Sequence, residues 1–399
     1  MMFPLAARNA FFDEITELAV RHTPMYGAES VRWGFSRMFA HWRADEFECF
    51  FAREIPGMTR EAARAALEVW CDFGASDEAR RRAGANPCAR RVLLVTASTV
   101  PCASFQDAML LLTMPVSVTI RPARQQALMF DAWRECLIRT FPALNSRIAI
   151  APPTHEETEL ESLCRAHDLV IVSGSDETIA RYRAMINHIV PERRPALVAH
   201  GHRVSAMILM RGETLTQDRA RQMALDLSLW DQSGCLSPRF LFAEYSRDEI
   251  MEGAHRLADA LDEVAINLPA CAPDLGSRAQ KNSALSMAEL DGCLVLRAHQ
   301  NGDAIVIHPE EAPFAPIFAP RTLNIYPVTD AIQAARALSP RAQALATARP
   351  LPPDAVEKLA RAGYNYFCRF GAMQDPPLTW FHENVGTIAP LFESRTKST

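Results

Sequence analysis

Leu169-Val-Ile-Val-Ser-Gly-Ser-Asp176 carries the clearest local signature in the chain. Four apolar residues, three of them β-branched, run into Ser-Gly-Ser, and a helical pattern follows from Asp176 to about residue 189. A short apolar strand that passes through glycine into a helix is the repeating unit of a parallel sheet with crossover helices. The glycine turn either leaves backbone N–H groups free to receive a phosphate, or lets Ser175 or Asp176 cap the helix. No complete G-x-G-x-x-G accompanies it, so both readings of Gly174 and Ser175 stand.

The same alternation extends outward in both directions. Residues 91–96, 116–120, 147–151, 169–172 and 196–199 read as strands, with helices at 105–112, 124–140, 156–167 and 176–189 between them. Together they predict a doubly wound, Rossmann-type half that binds nucleotides at the carboxyl ends of its strands. From residue 204 the pattern restarts. Strands are expected at 205–210 and 240–244, weaker ones at 293–298, 304–308 and 322–327, and helices at 217–227, 247–265, 331–338 and 353–362. Residues 1–90 read as mainly helical: 58–73 is strongly amphipathic, with Thr59 as a helix start and Gly74 as a stop. Residues 79–86 read as a solvated connection, and the Pro-rich 312–320 as a loop. The expected organisation is a helical region over 1–90, a cofactor-binding α/β domain over 91–203, a second α/β domain over 204–370, and a return segment with a mobile tail over 371–399.

Composition removes several function classes. The 399 residues carry a net charge of −5, which gives no reason to expect nucleic acid as a partner, and 49% hydrophobic with 22% charged residues excludes global disorder. Ten cysteines lie scattered with no C-x-x-C pair, so neither a disulfide framework nor a zinc ribbon is expected, and no metal site is predicted. Asp13, Glu14 and Glu17 interrupt the apolar start, and Pro115 breaks the longest apolar run, so neither a signal peptide nor a membrane span is expected and the reading is cytoplasmic. Only three basic residues are lysine, so nearly every positive charge is a guanidinium.

One cysteine stands apart. Cys136 and Cys164 sit in amphipathic segments and read as small buried hydrophobes. Cys235 instead lies in Trp230-Asp-Gln-Ser-Gly-Cys-Leu-Ser-Pro238, between a helix and a strand, directly after a glycine that lets the backbone approach a ligand closely. The residues alone leave it either a nucleophile or a structural loop cysteine.

Asp231-Gln-Ser-Gly-Cys-Leu-Ser-Pro238 resembles the nucleophile loop of the LuxC-type acyl-CoA reductases, a branch of the aldehyde dehydrogenase superfamily. Further segments resemble the family in the same order: 170–179, Ala199-His-Gly-His-Arg-Val-Ser205, Arg321-Thr-Leu-Asn-Ile-Tyr-Pro-Val328, and Arg369-Phe-Gly-Ala-Met-Gln-Asp-Pro-Pro377 with Trp380 and His382. The resemblance implies an aldehyde dehydrogenase-like α/β fold and NAD(P)H-dependent reduction of a fatty acyl thioester, carried by CoA or a carrier protein, to the aldehyde. Cys235 would form the acyl-enzyme. It also implies Gly174 and Ser175 at the cofactor, a homo-oligomer, and an acyl-activating enzyme as a partner. Where the family has Gly-Asn-x-Pro after the first strand, this chain has Ser98-Thr-Val-Pro101, so the oxyanion donor becomes Thr99, whose hydroxyl reaches less far than an amide. Where the family has Lys before Pro or Ser on the second strand, this chain has Arg121-Pro122, and the fork of Arg121 suits a 2′-phosphate and leans the expectation from NADH toward NADPH. The family's closing His-Asp-Gly is His382-Glu-Asn384. No carboxylate base stands at His200-Gly-His202, where aldehyde oxidisers carry one, so His202 is a candidate general acid or a structural residue. Glu244 is a weaker candidate. Two other readings remain: an acyltransferase or acyl-binding subunit that keeps the thiol but not hydride transfer, and a non-catalytic partner of an acyl-activating enzyme. The latter would dock through the aromatic-rich residues 33–51, which also suit an acyl-chain cover or a local core.

Overall fold

Val92, Leu93, Leu94 and Val95 are all buried, as a parallel strand covered by helices on both faces requires. They form β1 (Arg91–Val95), the centre of a five-stranded parallel sheet with β2 (Ser117–Arg121), β3 (Ile148–Ile150), β4 (Leu169–Ser173) and β5 (Ala196–His200) in the order β3-β2-β1-β4-β5. The order reverses at β1/β4, the switch point at which doubly wound sheets bind ligands beyond their carboxyl ends. The computed structural model describes residues 5–152, 154–271, 275–310 and 312–393, so the tail expected to be mobile from Glu393 on lies, beyond that residue, outside the described residues.

The chain divides into two compact units. The first comprises Met1–Pro24, Val31–His202 and Pro377–Thr399, and the second Met25–Ser30 with Arg203–Pro376. In the first, the helices Ala44–Glu54 and Arg60–Trp70 pair, and Thr59 accepts the Ala62 N–H at 3.2 Å as the expected cap. Phe35, Phe50, Phe51 and Trp70 are buried to 1% exposure or less, so much of the aromatic-rich segment serves as local core. The reading of residues 79–86 as a solvated connection is corrected. Asp77–Arg82 is a helix capped by Ser76, and Arg80 is fully buried with its guanidinium donating to the carbonyls of Thr113, Ala75 and Asp72. Three carbonyl acceptors make burial of that charge tolerable.

The closing segment is tied into the first unit by two acids on the helical region and one on the helix that begins at Pro101. Glu46 accepts the Leu378 N–H at 3.1 Å, Glu54 accepts those of Ile388 and Ala389 at 2.7 and 2.6 Å, and Asp107 accepts the Thr387 hydroxyl at 3.1 Å. Burial pushes the Asp107 carboxyl up to about 7, the Thr387 hydroxyl opposing and the Glu54 charge adding to the rise. A carboxyl raised in the folded chain keeps its proton where the unfolded chain, with an ordinary value of about 3.9, has released it. The contribution of Asp107 to stability therefore falls as pH climbs from about 4 to about 7 and levels above that. Asp107→Asn is expected to flatten this slope and to melt above the native chain at pH 8 while matching it near pH 4, followed by circular dichroism.

The second unit holds a seven-stranded sheet: β6 (Val204–Leu209), β7 (Pro238–Ala243), β8 (Leu294–Arg297), β9 (Ala304–Ile307), β10 (Thr322–Pro327), β11 (Ala342–Thr347) and β12 (Tyr366–Arg369), in the order β12-β11-β6-β7-β10-β9-β8. Only the edge pair β8/β9 is antiparallel. Every residue of β6, β10 and β11 is buried. The helices Gln217–Ser228 and Arg247–Ala265 pack together, the second opening with a capping box formed by Ser246 and Glu249. The strands β11 and β12 and the helix Leu275–Leu290 were not expected from the sequence.

Candidate active site

Cys235 lies between the helix Gln217–Ser228 and β7, on a loop whose backbone is unusual. Trp230, Asp231 and Gln232 are successive non-glycine residues with φ of 57°, 48° and 60°. Each such residue costs about 1–2 kcal/mol, so three in a row persist only where the surroundings hold them. Trp230 is buried with its ring edge-on to Tyr26. Past this run, Ser237 N–H returns to Gly234 O at 3.0 Å and Gln374 Nε2 donates to Ser237 Oγ at 3.1 Å. The Cys235 carbonyl accepts the Ser205 hydroxyl at 2.6 Å, and Ser205 Oγ in turn accepts the Ala344 N–H at 3.1 Å. The thiol-bearing residue is half-buried and pinned through its own backbone. Burial pushes the thiols of Cys136 and Cys164 up to about 11 and about 12, so these two are held as inert hydrophobes.

The Arg369-to-Pro377 segment closes on the helix that leads into this loop. Gly371 and Met373 donate their N–H groups to the buried Asp226 carboxylate at 2.6 and 2.9 Å, and Gly371 takes φ of 83° against Gln222. Glu244, the weaker acid/base candidate, accepts the N–H groups of Arg211 and Ala331 at 2.8 and 3.0 Å.

In the first unit, Thr99, Gly174, Ser175 and His202 follow the carboxyl ends of strands, and Arg121 is the last residue of one. Thr99 is half-buried, its carbonyl accepting Gln126 Nε2 at 3.4 Å, and Val100 takes φ of 34° before a helix that begins at Pro101. Arg121 ends β2; its Nη2 donates to Thr154 O at 2.5 Å, while its buried Nε makes no hydrogen bond among the described residues. Ser175 is the N-cap of the helix Asp176–His188, accepting the Thr178 N–H at 3.2 Å, and a Cβ on Gly174 would meet Thr178 at 3.2 Å. Asp176 in the first turn accepts the His202 N–H at 3.1 Å, so that helix end already faces a carboxylate. His202 itself is exposed.

The buried histidine is its neighbour. His200 ends β5 and stacks on His382 with centroids 4.4 Å apart and planes 15° from parallel, while Glu383 accepts the Gly201 N–H at 2.8 Å. The ligand atoms of these three residues lie within 4.8 Å of one another, but two parallel rings do not aim their in-plane nitrogens at one ion. Glu383 and Asn384 take φ of 55° and 61°, a conformation that suits glycine and that asparagine tolerates. β5 runs as far as His200, so His202 stands two residues beyond the strand end while His200 is its last residue.

The profile of the acyl-CoA reductase family LuxC matches residues 22–391. The chain belongs to the LuxC acyl-CoA reductase family. It is thereby an oxidoreductase acting on acyl thioesters. Solved structures similar to this LuxC-family chain are aldehyde dehydrogenases, and they share its fold. An NAD-dependent benzaldehyde dehydrogenase from Corynebacterium glutamicum matches with a TM-score of 0.56 at 12% identity, over 93% of this chain and 88% of that one. The indole-3-acetaldehyde dehydrogenase AldA of P. syringae, in complex with NAD+ and IAA, matches with a TM-score of 0.59 at 13% identity, over 96% and 88%. An NADP-dependent enzyme from E. coli matches with a TM-score of 0.54 at 14% identity, over 90% and 81%. A search of curated protein sequences returned no match. Among the described residues no helix is long and apolar enough to cross a membrane.

Proposed function

We propose that this LuxC-family chain reduces a fatty acyl thioester, of CoA or a carrier protein, to the aldehyde through an acyl-enzyme on Cys235. The observation that carries the reading is the placement of Cys235: a half-buried thiol behind a glycine, on a loop held in left-handed backbone and tied through its carbonyl to Ser205. As thiolate, Cys235 attacks the carbonyl carbon, the bond from that carbon to the carrier sulfur breaks, and the carrier thiol leaves. Thr99 is the side chain assigned to donate to the developing oxyanion. A hydroxyl in place of an amide there lowers the rate, since one oxyanion donor is worth about 10²–10³-fold. A bound nicotinamide supplies the hydride. One proton per aldehyde is also required, and His202, exposed to solvent after β5, is the group assigned to bring it.

The residues at the sheet's carboxyl end fit a nicotinamide dinucleotide. Arg121 keeps a buried Nε without a hydrogen bond among the described residues, and Gly174 lies where a larger side chain would press on Thr178. Arg121, with Gly174 and the Ser175 turn, would hold the ribose and phosphate groups, and the guanidinium favours a 2′-phosphate, hence NADPH over NADH. Two of the similar structures are described with NAD and one as NADP dependent. Arg121→Ala is expected to raise KM for NADPH by about tenfold, the worth of one charged contact, and to leave KM for NADH nearly unchanged. The cytoplasm supplies both acyl thioester and reduced nicotinamide. The reading is tested by mixing the protein with a long-chain acyl-CoA and NADPH or NADH: loss of nicotinamide absorbance with equimolar aldehyde supports it, and no consumption of either cofactor sinks it.

A further inference from the structure

Two successive residues at the entry to β10 brace two successive residues of the strained run before Cys235. Arg321, only 2% exposed, donates Nε to Asp231 Oδ1 at 2.7 Å and Nη2 to Leu268 O at 2.9 Å, and its Nη1 lies 3.5 Å from buried Asp303. The other Asp231 oxygen accepts the Cys271 N–H at 3.1 Å. One position on, the Gln232 side chain pairs with both backbone groups of Thr322: Oε1 accepts its N–H at 2.8 Å and Nε2 donates to its carbonyl at 2.8 Å. Nε2 also donates to Pro238 O at 2.6 Å and Oε1 also accepts Arg239 Nη1 at 2.7 Å. All four hydrogen-bonding capacities of this fully buried amide are used.

These bonds supply what three left-handed non-glycine residues lack on their own, a reason to stay in that conformation. The loop is thus fixed upstream at residues 231 and 232 and downstream where Ser205 holds the Cys235 carbonyl, by groups on or next to strands β6, β7 and β10. We propose that Arg321 and Gln232 are positioning residues for the nucleophile: they hold the 230–232 backbone in the conformation that presents Cys235 to an acyl carbonyl. This rests on the acyl-enzyme reading above. Lysine cannot replace Arg321, because one ammonium on a flexible stem does not serve Asp231 and the Leu268 carbonyl in one plane. Leucine at 232 keeps the volume and removes every side-chain bond, leaving the residue 232 carbonyl to accept from Arg239 Nη2.

The test compares Arg321→Lys and Gln232→Leu with the native chain. Two rates are followed by peptide mass: acylation of Cys235 by palmitoyl-CoA and alkylation of each cysteine by iodoacetamide. A misplaced nucleophile costs about 10²-fold in the oriented reaction. The expected result is therefore crossed: acylation falls by about that factor, alkylation of Cys235 rises as the loop relaxes, and fully buried Cys164 stays protected. The milder Arg321→Lys keeps the test open should Gln232→Leu not fold. Native rates for both reactions in a folded variant would overturn the proposal, and so would opening of Cys164 in step with Cys235, which marks a purely structural role. If the native chain forms no adduct, the acyl-enzyme reading fails separately, and unchanged alkylation of Cys235 in both variants would still overturn the positioning role.

Discussion

Cys235→Ala is expected to abolish aldehyde formation, with turnover down by at least about 10⁴-fold, the scale on which removal of a covalent nucleophile acts. The loss comes from the chemistry and not from the fold. Cys235 is half-buried on a loop whose carbonyl bond to Ser205 belongs to the backbone and survives the substitution. Circular dichroism and nicotinamide binding should therefore match the native protein. Cys164→Ala gives the contrast: that thiol is fully buried and held neutral by burial, so its removal costs stability through a small cavity and leaves the rate per folded molecule unchanged. A Cys235→Ala protein that still makes aldehyde at a tenth of the native rate or better, an order-of-magnitude bound set by the same scale, would place the nucleophile elsewhere.

The second large effect is on stability. A Cβ built on Gly386 would stand 2.1 Å from Glu54 Oε1 and 2.5 Å from both Cδ and Oε2, distances no real methyl accepts. Glu54 is 1% exposed and its Oε2 receives the N–H groups of Ile388 and Ala389. Gly386→Ala must push the carboxylate aside and strand two donors and a buried acid, at about 3–5 kcal/mol. Urea unfolding checks the magnitude, and Glu54→Ala checks the cause. With Glu54 already truncated, Gly386→Ala should cost far less than it does alone, a coupling expected only of residues in contact. Equal costs in both backgrounds would show that the glycine is needed for some other reason.

How much was legible in the sequence depended on whether a residue's role was local. The 169–176 stretch was readable because β-branched residues, glycine and a capping serine all act within a few positions, and the structure puts Ser175 at the cap. β11 was not, because Ala342-Gln-Ala-Leu-Ala-Thr347 has no β-branched residue before its last; it is a strand because it pairs with β6 and β12. The helix Leu275–Leu290 begins Leu-Gly-Ser and leaves Leu275 and Leu290 exposed, so no amphipathic face announces it. The first crossover helix starts at Pro101, four residues before its apolar run, because proline suits the first helical turn. At the site, Cys235 was legible from its own loop. The bonds from Arg321 and Thr322 to that loop, the His200–His382 stack and the burial of Arg80 join residues far apart in sequence, and no local pattern encodes them.

The central claim is that Cys235 carries the acyl group between thioester and aldehyde. Its most direct test is a single turnover followed by intact mass: the protein is mixed with palmitoyl-CoA without nicotinamide, freed of excess thioester, and then given NADPH or NADH. The expected result is a gain of one acyl group, located by peptide mapping on the Cys235 peptide, which disappears on addition of the reduced nicotinamide with one aldehyde released per adduct. No adduct, an adduct on another cysteine, or an adduct on Cys235 that outlasts both cofactors would contradict it.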